Sequence, residues 1–187
     1  MSDLKKRFVW MVAPLLKFIL RIFFDAKYIT GRHFDSGIGG YIFSLKSIWV
    51  KNILRLSKPM PFPTSLTCTI ANPKNLIFHP DDLNNFQSPG TYYQNFRAKI
   101  VIGRGTYIAP NVGIITTNHD LNNLDNHDGD KDVTIGEKCW IGMNSVILPG
   151  VVLGNKTIVA AGAIVTKSFE EGNVVLAGIP AKVIKNI

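Results

Sequence analysis

From Ile135 onward an aliphatic side chain stands at every sixth position, through Ile141, Ile147, Leu153, Val159 and Val165. The residue after each is often tiny, as in Gly136, Gly142, Gly154 and Ala160. Four places on from the first five stand Cys139, Ser145, Val151, Thr157 and Ala163. A period of six is neither the 3.6 of a helix nor the 2 of a half-buried strand. It predicts short strands that turn a corner every six residues, three to a coil, with coils stacked about 4.8 Å apart and the aliphatic residues filling a triangular prism. The same pattern appears earlier at Ile102, Ile108 and Ile114. The expected fold is mainly β, a parallel β-helix of hexapeptide repeats.

The register breaks once. Ile114 to Ile135 is 21 residues, three more than three repeats, so the chain must leave the prism in between. The expelled segment, 118–132, reads NHDLNNLDNHDGDKD and carries two of the four histidines, His119 and His127, with five aspartates and only Leu121 and Leu124 apolar. Polar loops that interrupt a regular scaffold are where repeat proteins place their chemistry.

The first third follows another pattern. Phe8 to Phe24 is almost wholly apolar, but Pro14, Lys17 and Arg21 interrupt it, and its longest uncharged run is the nine residues from Phe8 to Leu16. That is too short to predict a membrane span. Lys17 and Arg21 share one helix face, where they can reach lipid phosphates while the rings sink inward. A second amphipathic helix is expected over 41–56, with Ile42, Leu45, Trp49, Ile53 and Leu56 at helical spacing and Lys46, Lys51 and Arg55 elsewhere around the wheel. The Pro-rich run KPMPFP at 58–63 marks a linker, dividing the chain into a helical segment, 1–60, and the prism, 61–187.

Charge sharpens that division. Of 187 residues, 46% are hydrophobic and 18% charged, a globular composition with an apolar excess. The net charge is +8, and residues 1–60 hold eleven Lys/Arg against three Asp, while 61–187 hold ten of each sign. The entire excess therefore sits beside Phe8, Trp10, Phe18, Phe23, Phe24, Phe34, Phe43 and Trp49. Cations mixed with large apolar rings argue against nucleic acid, which calls for basic side chains over a polar groove. They point to an anionic membrane surface, where each nearby cation contributes roughly 1 kcal/mol. The Lys5-Lys6-Arg7 cluster before an apolar run is like a signal peptide, but no small-x-small cleavage site follows.

Cys68 and Cys139 are too few for a disulfide framework, and Cys139 holds a small interior position of its repeat, as expected of a buried thiol in a reducing compartment. No His or Cys pair has zinc-finger spacing, and the loop aspartates miss the calcium-loop positions. No metal is expected.

Four stretches together, IGRGTYIAPNVGIITTNHD, IGEKCWIGMNSVILPGVVLG, IVAAGAIVTKSF and AGIPAKVIK, resemble the bacterial hexapeptide-repeat O-acetyltransferases, the group of maltose and galactoside acetyltransferases and of capsule and exopolysaccharide O-acetyltransferases. The resemblance covers about residue 65 to the end. It implies a left-handed β-helix, a homotrimer with active sites between subunits, and acetyl-CoA as donor. His119 matches the family's catalytic histidine, a residue type able to take a proton from a hydroxyl and return it to a thiolate near neutral pH. Asp120 or a backbone carbonyl would fix its tautomer. Asn95, in YYQNF, resembles the asparagine that contacts the acceptor, so Asn95 and Asp120 are the expected acceptor-side residues. RAKIV replaces a longer acidic segment of the sugar-modifying members, so an acceptor carboxylate they use has no counterpart. On the donor side the resemblance implies the backbone of Met143 and Ala161 along the pantetheine arm, Trp140 as a wall of the thiol pocket, and Thr166, Lys167 and Lys182 at the adenosine end.

The expectation is an O-acetyltransferase on the cytoplasmic side of the bacterial inner membrane, peripheral or monotopic. It would act on a sugar hydroxyl of a surface-glycan precursor, lipid-linked or not. The rivals are acetylation of a small free sugar, a γ-type carbonic anhydrase needing a third histidine beyond His119 and His127, and a non-catalytic scaffold.

Overall fold

The computed structural model describes residues 3–187, with side chains from Met11 onward. The side chains of the Lys5-Lys6-Arg7 cluster and the rings of Phe8 and Trp10 lie outside what is described. The chain forms two compact units, Met1–Leu66 and Thr67–Ile187.

The second unit is a left-handed parallel β-helix whose strands stack into three faces. Face A stacks Thr69–Ile70, Tyr92–Gln94, Gly113–Ile115, Val146–Ile147 and Ile164–Val165. Face B stacks Leu76–Ile77, Ile100–Ile102, Val133–Ile135 and Val152–Leu153. Face C stacks Tyr107–Ile108, Trp140–Ile141, Ile158–Val159 and Val174–Ala177, and Lys182–Asn186 closes it antiparallel to the last of these. The chain visits A, B and C in turn, so one full coil separates Trp140 from Ile158, Val146 from Ile164 and Thr134 from Val152.

The hexapeptide residues do what their period predicts. Ile135, Ile141, Ile147, Leu153, Val159 and Val165 are all at most 1% exposed, and Cys139, Ser145, Val151, Thr157 and Ala163 fill the interior between them. A strand can turn a corner so sharply because one residue per repeat adopts a left-handed backbone: Lys138, Asn144, Gly150, Lys156 and Gly162 all have φ between 55° and 80°. Gly142 has another task. A Cβ there would stand 2.6 Å from the nitrogen of Ala161 and the carbonyl oxygen of Val159, so only a glycine lets these coils approach.

The first coil breaks the repeat. A 3-10 stretch, Pro80–Phe86, occupies the place of a face C strand, and Phe86 and Tyr93, both fully buried, fill that end of the prism with ring centroids 5.6 Å apart and planes tilted by 51°.

The first unit contains helices α1 (Asp3–Leu20), α2 (Arg32–Asp35) and α3 (Gly39–Ser47), the last running into a π-helical turn, Ile48–Ile53. Leu20, Phe24, Tyr28, Ile29, Phe34, Tyr41 and Ile48 form its core. The expected apolar stripe over 41–56 faces outward, and so does a second on the first helix. On α1 and just past its end, Met11, Leu15, Phe18 and Ile22 are exposed, and along α3, the π turn and the residues after it so are Ile42, Leu45, Trp49, Ile53 and Leu56. Among the described residues no helix is long and apolar enough to cross a membrane.

Three expectations change here. Lys51 is not on the outer face of its helix: it is 1% exposed, because the wider π turn rotates it inward. Lys17 is not a lone cation, since its Nζ lies 2.7 Å from Asp35 Oδ1, and only its remaining two N–H groups are left for another partner. The run KPMPFP is not a linker. Met60 and Phe62 are buried, Phe62 packs edge-on to Tyr28 at 4.9 Å, and Pro61 accepts a 2.8 Å bond from the amide of Asp25. The units therefore part at Leu66 and Thr67, six residues beyond the expected boundary.

Candidate active site

The expelled segment leaves the prism at the corner between faces A and B, after Ile115, and returns before Val133. Its base is pinned. Lys131 donates to the carbonyl of Thr116 at 2.8 Å, Asp132 accepts from the amide of Lys99 at 2.8 Å, and Arg97 pairs with Asp130 at 2.8 Å. Gln94, a residue that sequence reasoning missed, steers the exit, with Oε1 accepting from the amides of both Thr116 and Thr117. Beyond this base the segment folds as a hairpin in which Asn118 and His119 pair antiparallel with Asp128 and His127.

That pairing stacks the rings of His119 and His127, with centroids 4.9 Å apart and planes 28° from parallel. His119 Nδ1 lies 2.7 Å from the carbonyl oxygen of Leu124. A carbonyl only accepts, so Nδ1 carries a proton, and in the neutral ring Nε2 is then the acceptor nitrogen, on an exposed residue. A held imidazole with a free acceptor nitrogen is the arrangement a general base requires. The orienting group is the carbonyl of Leu124 and not Asp120, whose Oδ1 accepts from the amide of Asn122 at 2.8 Å and shapes the turn. No sequence signal could single out Leu124, because any residue supplies that carbonyl.

Asn95 is corrected more strongly. It is fully buried, its Oδ1 accepts from the amide of Asn72 at 3.0 Å, and its Nδ2 donates to the carbonyl of Asn72 at 2.7 Å. Both ends of the amide hold the neighbouring coil, and neither is offered to an acceptor.

The donor-side residues fall on two edges of the prism. Trp140, 56% exposed, opens the face C strand Trp140–Ile141, and Met143 and Ala161 lie one coil apart at the corner between faces C and A. Lys182 joins that edge, because it pairs with Ala177 where face C ends and its neighbour Ala181 donates to the carbonyl of Ile164. Thr166 and Lys167 instead follow Ile164–Val165 at the corner between faces A and B, the edge that carries the His119 hairpin two coils away. Thr166, Lys167 and Lys182 are exposed. The Lys167 ammonium lies 5.6 Å from the centre of the Phe169 ring.

Burial pushes the Cys139 thiol above its ordinary range, with hydrogen bonds from Thr157, Thr106 and Lys156 pulling the other way, as befits a structural thiol. Among the described residues no three His, Cys, Asp or Glu side chains gather as they would around a metal ion. His79 Nδ1 accepts from the amide of Asp81, and His33 belongs to the first unit.

Residues 132–167 match the family described as bacterial transferase hexapeptide (six repeats). The chain is 38% identical over 113 residues to the galactoside O-acetyltransferase of Escherichia coli (strain K12), covering 56% of this chain and 55% of that protein. It is 36% identical over 102 residues to WbbJ of the same organism, provisionally named a lipopolysaccharide biosynthesis O-acetyl transferase, covering 46% of this chain and 50% of that protein. The chain spans about half the length of these curated relatives. Among solved structures it shares a fold with AntD, an N-acyltransferase from Bacillus cereus in complex with a dTDP-amino sugar and coenzyme A. There the TM-score is 0.53 at 17% identity, covering 66% of this chain and 79% of that one.

Proposed function

We propose that this chain, similar through its prism to hexapeptide-repeat O-acetyltransferases, moves an acetyl group from acetyl-CoA to a sugar hydroxyl of a surface-polysaccharide or lipid-linked glycan precursor. The observation that carries the reading is the His119 imidazole, held through Nδ1 by the Leu124 carbonyl with Nε2 open. His119 Nε2 takes the proton of the acceptor hydroxyl as its oxygen attacks the acetyl carbonyl carbon of the thioester. The tetrahedral intermediate collapses, the C–S bond breaks, and the leaving thiolate takes the proton back from the imidazolium. The products are an acetyl ester and free coenzyme A. The stacked ring of His127 holds the His119 plane and takes no proton in this scheme.

The split of donor residues over two edges supports a homotrimer. Met143, Ala161 and Lys182 lie on the C–A edge, and Thr166, Lys167 and His119 on the A–B edge. One extended coenzyme reaches both sets if the A–B edge of one copy faces the C–A edge of the next, and a ring of three such contacts closes. The coenzyme would then lie between copies, with its pantetheine arm along Met143 and Ala161 and its phosphates near the lysines.

The outward stripes of the first unit and the basic excess of 1–60 support attachment to the cytoplasmic face of the bacterial inner membrane. An enzyme held there meets a lipid-linked acceptor by two-dimensional diffusion, which favours a glycan precursor over a free sugar. The deciding experiment measures thiol release from acetyl-CoA by the full chain with free galactosides, free maltosides and lipid-linked oligosaccharides, following the acceptor by mass. Acetylated lipid-linked oligosaccharide is the expected product. Transfer to free sugars alone would return the assignment to small acceptors, and no release above the acceptor-free rate would end the enzymatic reading.

A further inference from the structure

Within the first unit, α1 and α3 border a groove of about 480 Å³ lined by Ala13, Pro14, Lys17, Phe18, Arg21 and Tyr41. Tyr41 is 4% exposed, and its hydroxyl has no hydrogen-bond partner among the described residues. A buried, unpaired hydroxyl is destabilising by about 1–3 kcal/mol, so such a group on a groove wall points to something that pairs with it when bound. Burial raises its pKa, Lys17 lowers it and Asp35 raises it, with the net upward, so at neutral pH the group is a donor.

The charges in the groove select the partner. Lys17 gives one N–H to Asp35, whose second carboxylate oxygen accepts from the amide of Gly31, and the ammonium keeps two further donors. Arg21, one turn along α1, is exposed and has no carboxylate partner among the described residues, and it brings five more. Lys17, Arg21 and Asp35 together carry a formal charge of +1. Donors of three kinds, an excess of one positive charge and no further acceptor suit a singly charged phosphate diester.

The surroundings select its carrier. Phe18 belongs both to the groove and to the exposed stripe of Met11, Leu15 and Ile22, so a ligand whose phosphate enters the groove extends its other end along an apolar surface. We propose that this groove binds the phosphate-diester headgroup of an anionic membrane lipid, with the acyl chains lying along the α1 stripe. The proposal rests on the membrane attachment inferred above. It adds a defined headgroup site to what would otherwise be a diffuse charged surface.

Two arms keep those ideas apart. In the first, the full chain is titrated by calorimetry with short-chain dihexanoylphosphatidylglycerol below its micelle concentration, with the phosphatidylcholine analogue, and with inorganic phosphate. Saturable binding of the glycerol lipid is expected. It should weaken roughly tenfold or more in Arg21→Gln and several-fold in Tyr41→Phe, a change that keeps the ring packed 5.2 Å from Phe34. The choline analogue should bind more weakly, and inorganic phosphate should compete only at much higher concentration, because it lacks the chains. Absence of binding, equal binding of all three probes, or indifference to both substitutions overturns the site. In the second arm the same proteins are floated with phosphatidylcholine vesicles containing phosphatidylglycerol. Wild type that ignores the vesicles yet binds the short-chain lipid would remove membrane attachment and leave the groove a lipid site. Wild type and both variants floating equally would leave the attachment and remove the groove from it.

Discussion

Gly142→Ala tests how tightly the coils and the donor edge are coupled. The new methyl would lie 2.6 Å from Ala161 N and Val159 O and 2.9 Å from the Ala160 carbonyl carbon, where ordinary contact begins near 3.4 Å. All three are backbone atoms, so no side chain can swing away, and the coils must part by roughly 0.8 Å, the shortfall between 2.6 and 3.4 Å. The same movement stretches the 2.8 Å bond from Gly142 N to Val159 O beyond useful length. Overpacking of about 1–3 kcal/mol and one lost hydrogen bond of about 1 kcal/mol give a loss of about 2–4 kcal/mol. For a unit of this size that lowers the melting temperature by about 5–15 °C. Because Ala161 moves with the strand, the KM for acetyl-CoA should rise as well. Gly113→Ala is the control, since its Cβ would meet only the methyls of Val146 at 3.8 Å and should be close to neutral. Circular-dichroism melts and steady-state kinetics on both variants decide the matter. Equal melting temperatures for Gly142→Ala and Gly113→Ala would refute the close-approach argument.

Asn95→Ala should destabilise the prism by about 1–3 kcal/mol, through the Asn72 backbone groups left unpaired, with little effect on the KM for the acceptor; the reverse would restore an acceptor role. Lys167→Ala and Lys182→Ala should each raise the KM for acetyl-CoA roughly tenfold with kcat nearly unchanged, and an unchanged KM in both would remove them from the phosphate end. Cys68 and Cys139 are buried and burial holds the Cys139 thiol protonated, so a thiol-alkylating reagent should label neither until the protein unfolds; rapid labelling at neutral pH would contradict that packing. Residues 67–187 alone should form a trimer by light scattering and not bind vesicles, and a monomer would break the argument for a site built from two copies.

The prism was legible because it is written in a period. The positions from Ile135 to Val165 each bury what the spacing says they bury, and the break between Ile114 and Ile135 locates the expelled segment, which leaves two residues earlier than expected, after Ile115, and returns at Val133 as expected. The first coil was not legible, since Phe86 and Tyr93 fill their layer with rings in place of a repeated aliphatic, and a 3-10 stretch replaces a strand. The helical unit was half legible. Spacing found the outward stripe over 41–56, but a π turn changes the residue count per turn locally and carries Lys51 to the inside, which a regular wheel cannot anticipate. In the candidate site, the family resemblance singled out His119, and the structure shows that ring held through Nδ1 by a carbonyl. Its orienting partner could not be singled out, because backbone carbonyls carry no residue signature. Asn95 shows the opposite hazard: a motif position can keep its residue type while the amide is spent on the adjacent coil.

The central claim is that His119 is the base, and comparison of His119→Ala with His127→Ala under saturating acetyl-CoA tests it most directly. His119→Ala should lower kcat by roughly 10² to 10⁴ while acetyl-CoA binding, measured by calorimetry, stays near wild type, because the imidazole acts on the acceptor proton and not on the donor's phosphates. His127→Ala should lose no more than several-fold, the effect of removing a stacked neighbour from the His119 ring. A His119→Ala enzyme within a few-fold of wild type, or a collapse confined to His127→Ala, would contradict the account and move the chemistry elsewhere in the hairpin.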